Sequence, residues 1–179
     1  MTTTATKATS SQHGEYKSLI AHSHALAREK GWWDWPRSPN EVINCFASEV
    51  SEAWEEYRVG KMERYYDGTK PCGFWIEIAD LLIRIADYHG HINKPINRRP
   101  LGKTDREMCN TTAGFIAFLH SVVGEMYAAN VRFFRDRSVR IFAACFYAAS
   151  REGIDLWEEI AIKHSHNQKR SFRHGGKQA

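Results

Sequence analysis

No hydrophobic run in this chain is long. The longest, Ile141 to Ala149, holds nine residues, and a helix that spans a bilayer needs about 20, so no membrane segment is predicted. The four cysteines, Cys45, Cys72, Cys109 and Cys145, contain no Cys-x-x-Cys pair, which removes the usual zinc and dithiol spacings. No apolar secretory block stands near the N-terminus, and with unpatterned cysteines this predicts a reduced protein of the cytoplasm. Basic residues are not gathered into a stripe except at the C-terminus, and the net charge is only +4. That balance suits a small anionic ligand and argues against nucleic acid. No segment alternates like a strand, no Glu-x-x-His motif occurs, and no repeat is present. What remains is an all-α chain of one domain, residues 13–179, behind a Thr- and Ser-rich lead, residues 1–12, expected to be disordered.

The helices follow from period and punctuation. Glu15 to Lys30 reads as the first, ended by Gly31. An aromatic loop follows, Gly31-Trp32-Trp33-Asp34-Trp35-Pro36. Its tryptophans either pack at the edge of a core or, as Trp32 and Trp33 could, wall a pocket that stacks on a flat ligand ring. Ser38-Pro39-Asn40-Glu41 is a capping box with Pro at the first helical position. It opens a second helix that runs to Val59, with Glu49 and Glu52 at the border of its apolar face. Lys61 to Cys72 reads as a loop, because Asp67-Gly68 signals a turn and Pro71 cannot continue a helix. His91 to Met108 reads as a long surface loop. Further helices are predicted over Thr112–Asn130, over Val131–Ser150, and after an Asp155 cap.

Gly73 to Gly90 is different. Phe74, Ile78, Leu81 and Ile85 make one apolar stripe, and Trp75, Ile76, Ala79, Leu82, Ile83 and Ala86 fill most of the rest. Glu77, Asp80, Arg84 and Asp87 share one narrow face. A helix apolar nearly all round is buried, so this charged face points inside the protein. Buried carboxylates need a partner or a metal. An antiparallel neighbour would bring Glu49 and Glu52 opposite Glu77 and Asp80. Carboxylates ~5 Å apart repel by about 3 kcal/mol per pair at an effective dielectric of ~20. An all-oxygen donor set selects Mg²⁺, with Mn²⁺ able to replace it, and such Mg²⁺ usually meets substrate phosphates. A buried ion-pair network with Arg84 and other cations is the competing explanation. The apolar surround of the third helix also predicts a homodimer or higher oligomer, to supply cover.

Several stretches together carry a family resemblance. They are Ala27-Arg28-Glu29-Lys30-Gly31-Trp32-Trp33, then Ser48-Glu49-Val50-Ser51-Glu52-Ala53, then Lys70-Pro71-x-Gly73-Phe74, then Glu77 through Asp87. The last is Lys163-x-x-x-Asn167-x-x-Arg170-x-x-x-His174-Gly175-Gly176-Lys177. A Glu-x-x-Glu pair, 24 residues, then Glu-x-x-Asp resembles the signature of the all-α nucleoside triphosphate pyrophosphohydrolases, most closely the MazG-like proteins of phages and bacteria. The resemblance implies a MazG-like helical bundle that hydrolyses a nucleoside triphosphate between the α and β phosphates. It implies Glu49, Glu52, Glu77 and Asp80 as metal-binding and catalytic carboxylates, with Glu52 as first choice for the group that activates water.

Lys163, Asn167 and Arg170 then become phosphate ligands rather than a solvated basic tail, and Lys70 is grouped with them. Arg84 and Asp87 fall beside the site or at a subunit interface, and Glu56 beside Glu52. The substrate is expected to be a (d)NTP, with a purine deoxynucleotide such as dGTP one candidate. A dUTPase or a phosphoribosyl-ATP pyrophosphatase of the same superfamily is an alternative, and a non-enzymatic helical oligomerisation module is another.

Overall fold

A computed structural model describes the backbone of residues 3–127 and 131–176, and side chains within 14–127 and 134–176. The elements are α1 (Thr3–Glu29), α2 (Pro39–Arg58), β1 (Tyr65–Asp67), β2 (Lys70–Cys72), α3 (Phe74–His91), α4 (Lys103–Met108), α5 (Thr112–Tyr127), α6 (Val131–Arg151) and α7 (Leu156–Lys169). The class is all-α, with one short hairpin as its only sheet among the described residues. No helix of the described residues is long and apolar enough to cross a membrane.

α3 is the centre. Phe74, Ile76, Ile78, Leu81, Leu82 and Ile85 lose all contact with solvent, and α1, α2, α6 and α7 pack around the helix. The cover that sequence reasoning sought from a second subunit is thus supplied within one chain, and the burial of α3 no longer calls for a dimer. α2 begins where its capping box predicts: the Ser38 hydroxyl accepts from Glu41 N, and the Glu41 carboxylate accepts from Ser38 N. α7 begins at Asp155, whose carboxylate accepts from the backbone N–H groups of Trp157 and Glu158.

Contacts set the helix directions. Glu49 meets Arg84, while Glu52 draws near Glu77. As α2 advances α3 recedes, so the pair is antiparallel. Lys163 meets Glu77 and Asn167 meets Asp80, so α7 runs parallel to α3.

Three expectations need correction. Residues 61–72 are not all loop. β1 and β2 pair antiparallel, with Tyr65 opposite Cys72 and Asp67 opposite Lys70, and Gly68 takes φ +59° in the turn. Three-residue strands are too short to show alternation. Residues 103–108 form α4 instead of loop, and Ile96 and Leu101 before it are buried. The backbone is helical from Thr3 onward, through most of the stretch read as a disordered lead. That stretch contains no proline to stop a helix. Residues 1–2 lie outside the described residues, as do 128–130, where the fourth helix was expected to end, and Lys177.

Gly73 has a specific reason to be glycine. Its φ is +118°, and a Cβ there would stand 2.5 Å from the Glu63 carbonyl oxygen. Only glycine lets the chain turn so tightly from β2 into α3, and this turn puts Glu77 and Asp80 one and two turns into the helix.

Candidate functional site: a carboxylate layer between three helices

α2, α3 and α7 meet at a layer of acidic side chains. Glu49, Glu77 and Asp80 are buried, at 2%, 3% and 5% exposure, while Glu52 is exposed. The sequence puts Glu49 and Glu52 together at a border. Three residues of helix leave them about 60° apart around the axis, enough to turn one inward and the other outward. Even so, Glu49, Glu52 and Glu77 each present an oxygen within 4.8 Å of the others. Asp80 is not in that group.

Asp80 is occupied elsewhere. Its Oδ1 accepts from Asn167 Nδ2 at 3.2 Å, and its Oδ2 lies 3.4 Å from Lys163 Nζ and 3.9 Å from an Arg84 guanidinium nitrogen. Lys163 Nζ also donates to Glu77 Oε2 at 3.0 Å. Arg84 Nε stands 2.6 Å from Glu49 Oε1, without the alignment of a hydrogen bond. Lys163 and Asn167, expected on phosphates, therefore hold carboxylates.

The electrostatics follow from this arrangement. Burial pushes the Glu49 carboxyl up to about 8, the Asp80 charge adds to the rise, and Arg84 offsets part of it. Burial also raises the Glu77 carboxyl, against the pull of Lys163. At Asp80 burial acts the same way, but Lys163 and Arg84 outweigh it and hold the carboxyl below its ordinary range. The Lys163 ammonium keeps its proton despite burial, because Asp80 and Glu77 face it. With all four carboxylates ionised, the two paired cations would leave two negative charges in the layer, and the raised Glu49 pKa is the response to that excess.

A divalent cation fits that residue of charge. Glu49 Oε2 is buried with no hydrogen-bond partner among the described residues, and an orphaned buried oxygen is costly. The donors are all carboxylate oxygens, which suits Mg²⁺ or Mn²⁺ and not a soft metal. Glu49, Glu52 and Glu77 are the residues that would hold it.

Arg170 is half-buried beyond the layer. No carboxylate of the described residues lies within ion-pair distance of it, while burial lowers its pKa and Asp80 acts in the opposite sense. Lys70 is exposed on β2, which packs against α7. Glu56, one helical turn beyond Glu52 on α2, accepts at Oε1 from the Tyr65 hydroxyl at 3.0 Å.

Asp87 is likewise engaged away from the layer. Its Oδ1 lies 2.8 Å from both His24 Nδ1 and Trp33 Nε1. Trp33 also stacks on His91, ring centres 3.9 Å apart. Of the two candidate stacking residues, Trp33 is thus a packing residue between α1 and α3. Trp32 instead lines a cavity that reaches Asp80, Arg84 and Asn167 and is flanked by Arg37, Phe46 and His174.

Several residues of the site escape sequence reasoning. Ser48 Oγ donates to Glu52 Oε1 at 3.0 Å; its place four residues before Glu52 on a helix is the signal that could have found it. Ser23 is buried at the cavity wall, its hydroxyl without a partner among the described residues. His24 meets Asp87 across 63 positions, a distance that no local pattern spans. Comparison of the chain with protein-family models, with curated proteins and with solved structures returns no match.

Proposed function

We propose that the chain is a Mg²⁺-dependent hydrolase of (deoxy)nucleoside triphosphates that cleaves between the α and β phosphates, releasing a monophosphate and pyrophosphate. The observation that carries this proposal is the convergence of Glu49, Glu52 and Glu77 within 4.8 Å, in a layer whose carboxylates outnumber the cations paired with them. The resemblance of the Glu-x-x-Glu and Glu-x-x-Asp pairs to the signature of the MazG-like enzymes suggests the reaction type.

When bound, the divalent ion supplies charge neutralisation for phosphate oxygens and a lowered pKa for water. The protein does the rest. Glu49 and Glu77, fixed on packed helices, present oxygens from a dry wall where electrostatic interactions are strong. Glu52 stands at the wet edge and is oriented by Ser48. It is the carboxylate that water reaches from solvent, and it takes the proton from the attacking water. Arg170 offers a guanidinium to a triphosphate tail, a group that suits phosphate geometry. Trp32, at the wall of the neighbouring cavity, offers a face to the base, a purine such as that of dGTP among the candidates. Because α3 is covered within one chain, the proposal does not require a second subunit, and light scattering of the active protein gives the number of subunits.

A non-enzymatic helical module draws support from one observation: Lys163 and Arg84 already pair with Glu77, Asp80 and Glu49. Nucleotide panels separate the two. Each NTP and dNTP is incubated with Mg²⁺ or Mn²⁺ and the products are resolved by chromatography. Monophosphate and pyrophosphate are expected. No turnover of any nucleotide would favour the structural module, and diphosphate with phosphate would point to a different hydrolase. dUTP or phosphoribosyl-ATP as the sole substrate would move the chain to a neighbouring branch of the same superfamily.

A further inference from the structure

We infer that Lys163 is a built-in counter-cation that ties off Asp80 and limits the carboxylate layer to a single divalent ion. The inference rests on the proposed metal-dependent function and concerns how many ions the layer takes and which carboxylates bind them.

Asp80 has no oxygen to spare. Asn167 donates to Oδ1, while Lys163 and Arg84 flank Oδ2. Lys163 and Asn167 are both nine-tenths buried, at 2% and 6% exposure. They stand four residues apart on α7, one helical turn, so one rigid element delivers both to the same carboxylate. Long cationic side chains normally keep their heads in water. An ammonium this deeply buried is held by its partners, here Glu77 and Asp80 at 3.0 and 3.4 Å.

The other three carboxylates differ. Glu49 Oε2 is buried and unpartnered among the described residues, and Glu52 receives only the Ser48 hydroxyl from the described residues. Glu77 gives one oxygen to Lys163. The open donors therefore lie on the α2 side of the layer and the closed ones on the α7 side. Charge agrees with geometry: with all four carboxylates ionised, two negative charges remain after Arg84 and Lys163, and one divalent ion neutralises them. A second ion would have to displace the ammonium.

Manganese binding to the full chain, counted by electron paramagnetic resonance of free Mn²⁺ and by titration calorimetry, tests this without reference to turnover. One ion per chain is expected for the wild type. In Lys163→Met the ammonium is gone, Asp80 and Glu77 open, and two ions per chain are expected. Adding Asp80→Asn to Lys163→Met should return the count to one. A wild-type count of two, or a Lys163→Met count that stays at one, overturns the inference while leaving a metal-dependent function standing. A wild-type count of zero overturns both.

Should Lys163→Met fail to fold, the single variants decide. Asp80→Asn should keep one ion, weakened by no more than the ~10- to 100-fold typical of a group that acts through a ligand. Glu49→Gln should lose it. Equal loss in both would make Asp80 a ligand and overturn the inference.

Discussion

Across the α2–α3 interface Arg84 Nε stands 2.6 Å from Glu49 Oε1, while Glu49 Oε2, just as deeply buried, has no hydrogen-bond partner among the described residues. One half of this carboxylate is compensated and the other is not. Burial and the nearby Asp80 charge hold its pKa at about 8, so at neutral pH Glu49 keeps a proton that a bound cation would displace.

The first prediction concerns that exchange. The raised pKa means that the folded state binds more protons than the unfolded state between about pH 4.5 and 8. Glu49 therefore stabilises the metal-free fold at acidic pH, and that contribution is lost as pH rises toward 8. Mn²⁺ should then raise the melting temperature more at pH 8 than at pH 6. At 100 times its Kd an ion that binds only the folded state adds about 2.7 kcal/mol, or roughly 5–10 °C for a chain of this size. Glu49→Gln should melt no lower than the metal-free wild type at pH 8 and should not respond to Mn²⁺. A Glu49→Gln protein stabilised by Mn²⁺ like the wild type would contradict this assignment.

A second prediction separates Trp32 from Trp33. Trp33 Nε1 donates to Asp87 Oδ1 at 2.8 Å and its ring stacks on His91. Trp33→Phe should cost about 1.5–3 kcal/mol in denaturant unfolding, the range for a hydrogen bond to a charged group, with KM little changed. Trp32→Ala should leave stability closer to wild type and raise KM. The reverse pattern would return the base-stacking role to Trp33.

The extent to which site and fold can be read from residues alone is uneven, for physical reasons. The capping box at Ser38 and Glu41, the Asp155 cap and the burial of α3 are local or periodic, and all are visible in sequence. The proximity of Glu49 and Glu77 follows from the antiparallel pairing of consecutive helices. The outward turn of Glu52 is not visible, because its position on the apolar border leaves its direction to packing. Lys163 and Asn167 share a helix face as expected, yet that face meets Asp80 and Glu77, 83 or more positions away. The hairpin at Tyr65–Cys72 and the single turn and a half of α4 are shorter than any period can register.

A third prediction follows from His89, fully buried on α3. Its Nδ1–H donates to the Lys94 carbonyl at 3.1 Å, and burial lowers its pKa to about 4. A depressed pKa means that the unfolded state binds the extra proton first. The stability His89 contributes is present above about pH 6.5 and is lost as pH falls toward 4, on the order of 3 kcal/mol in all. Unfolding free energies measured by urea from pH 7 to pH 4 should fall accordingly. His89→Asn should flatten the fall; an unchanged slope would remove His89 as its cause.

Gly73 supplies a fourth. A Cβ would press within 2.5 Å of the Glu63 carbonyl oxygen at a φ of +118°, so Gly73→Ala should destabilise the fold by about 2–4 kcal/mol. Since the same turn delivers Glu77 and Asp80, Mn²⁺ affinity should fall with stability. A Gly73→Ala protein as stable as wild type would mean that the turn has other conformations open to it.

The central claim is that a divalent ion sits among Glu49, Glu52 and Glu77. Anomalous scattering from a crystal soaked in Mn²⁺ locates the ion directly. One peak within about 2.5 Å of oxygens from all three glutamates, with Asp80 still held by Lys163 and Asn167, is the predicted result. Difference density that leaves the three carboxylates without an ion at saturating Mn²⁺ would contradict it.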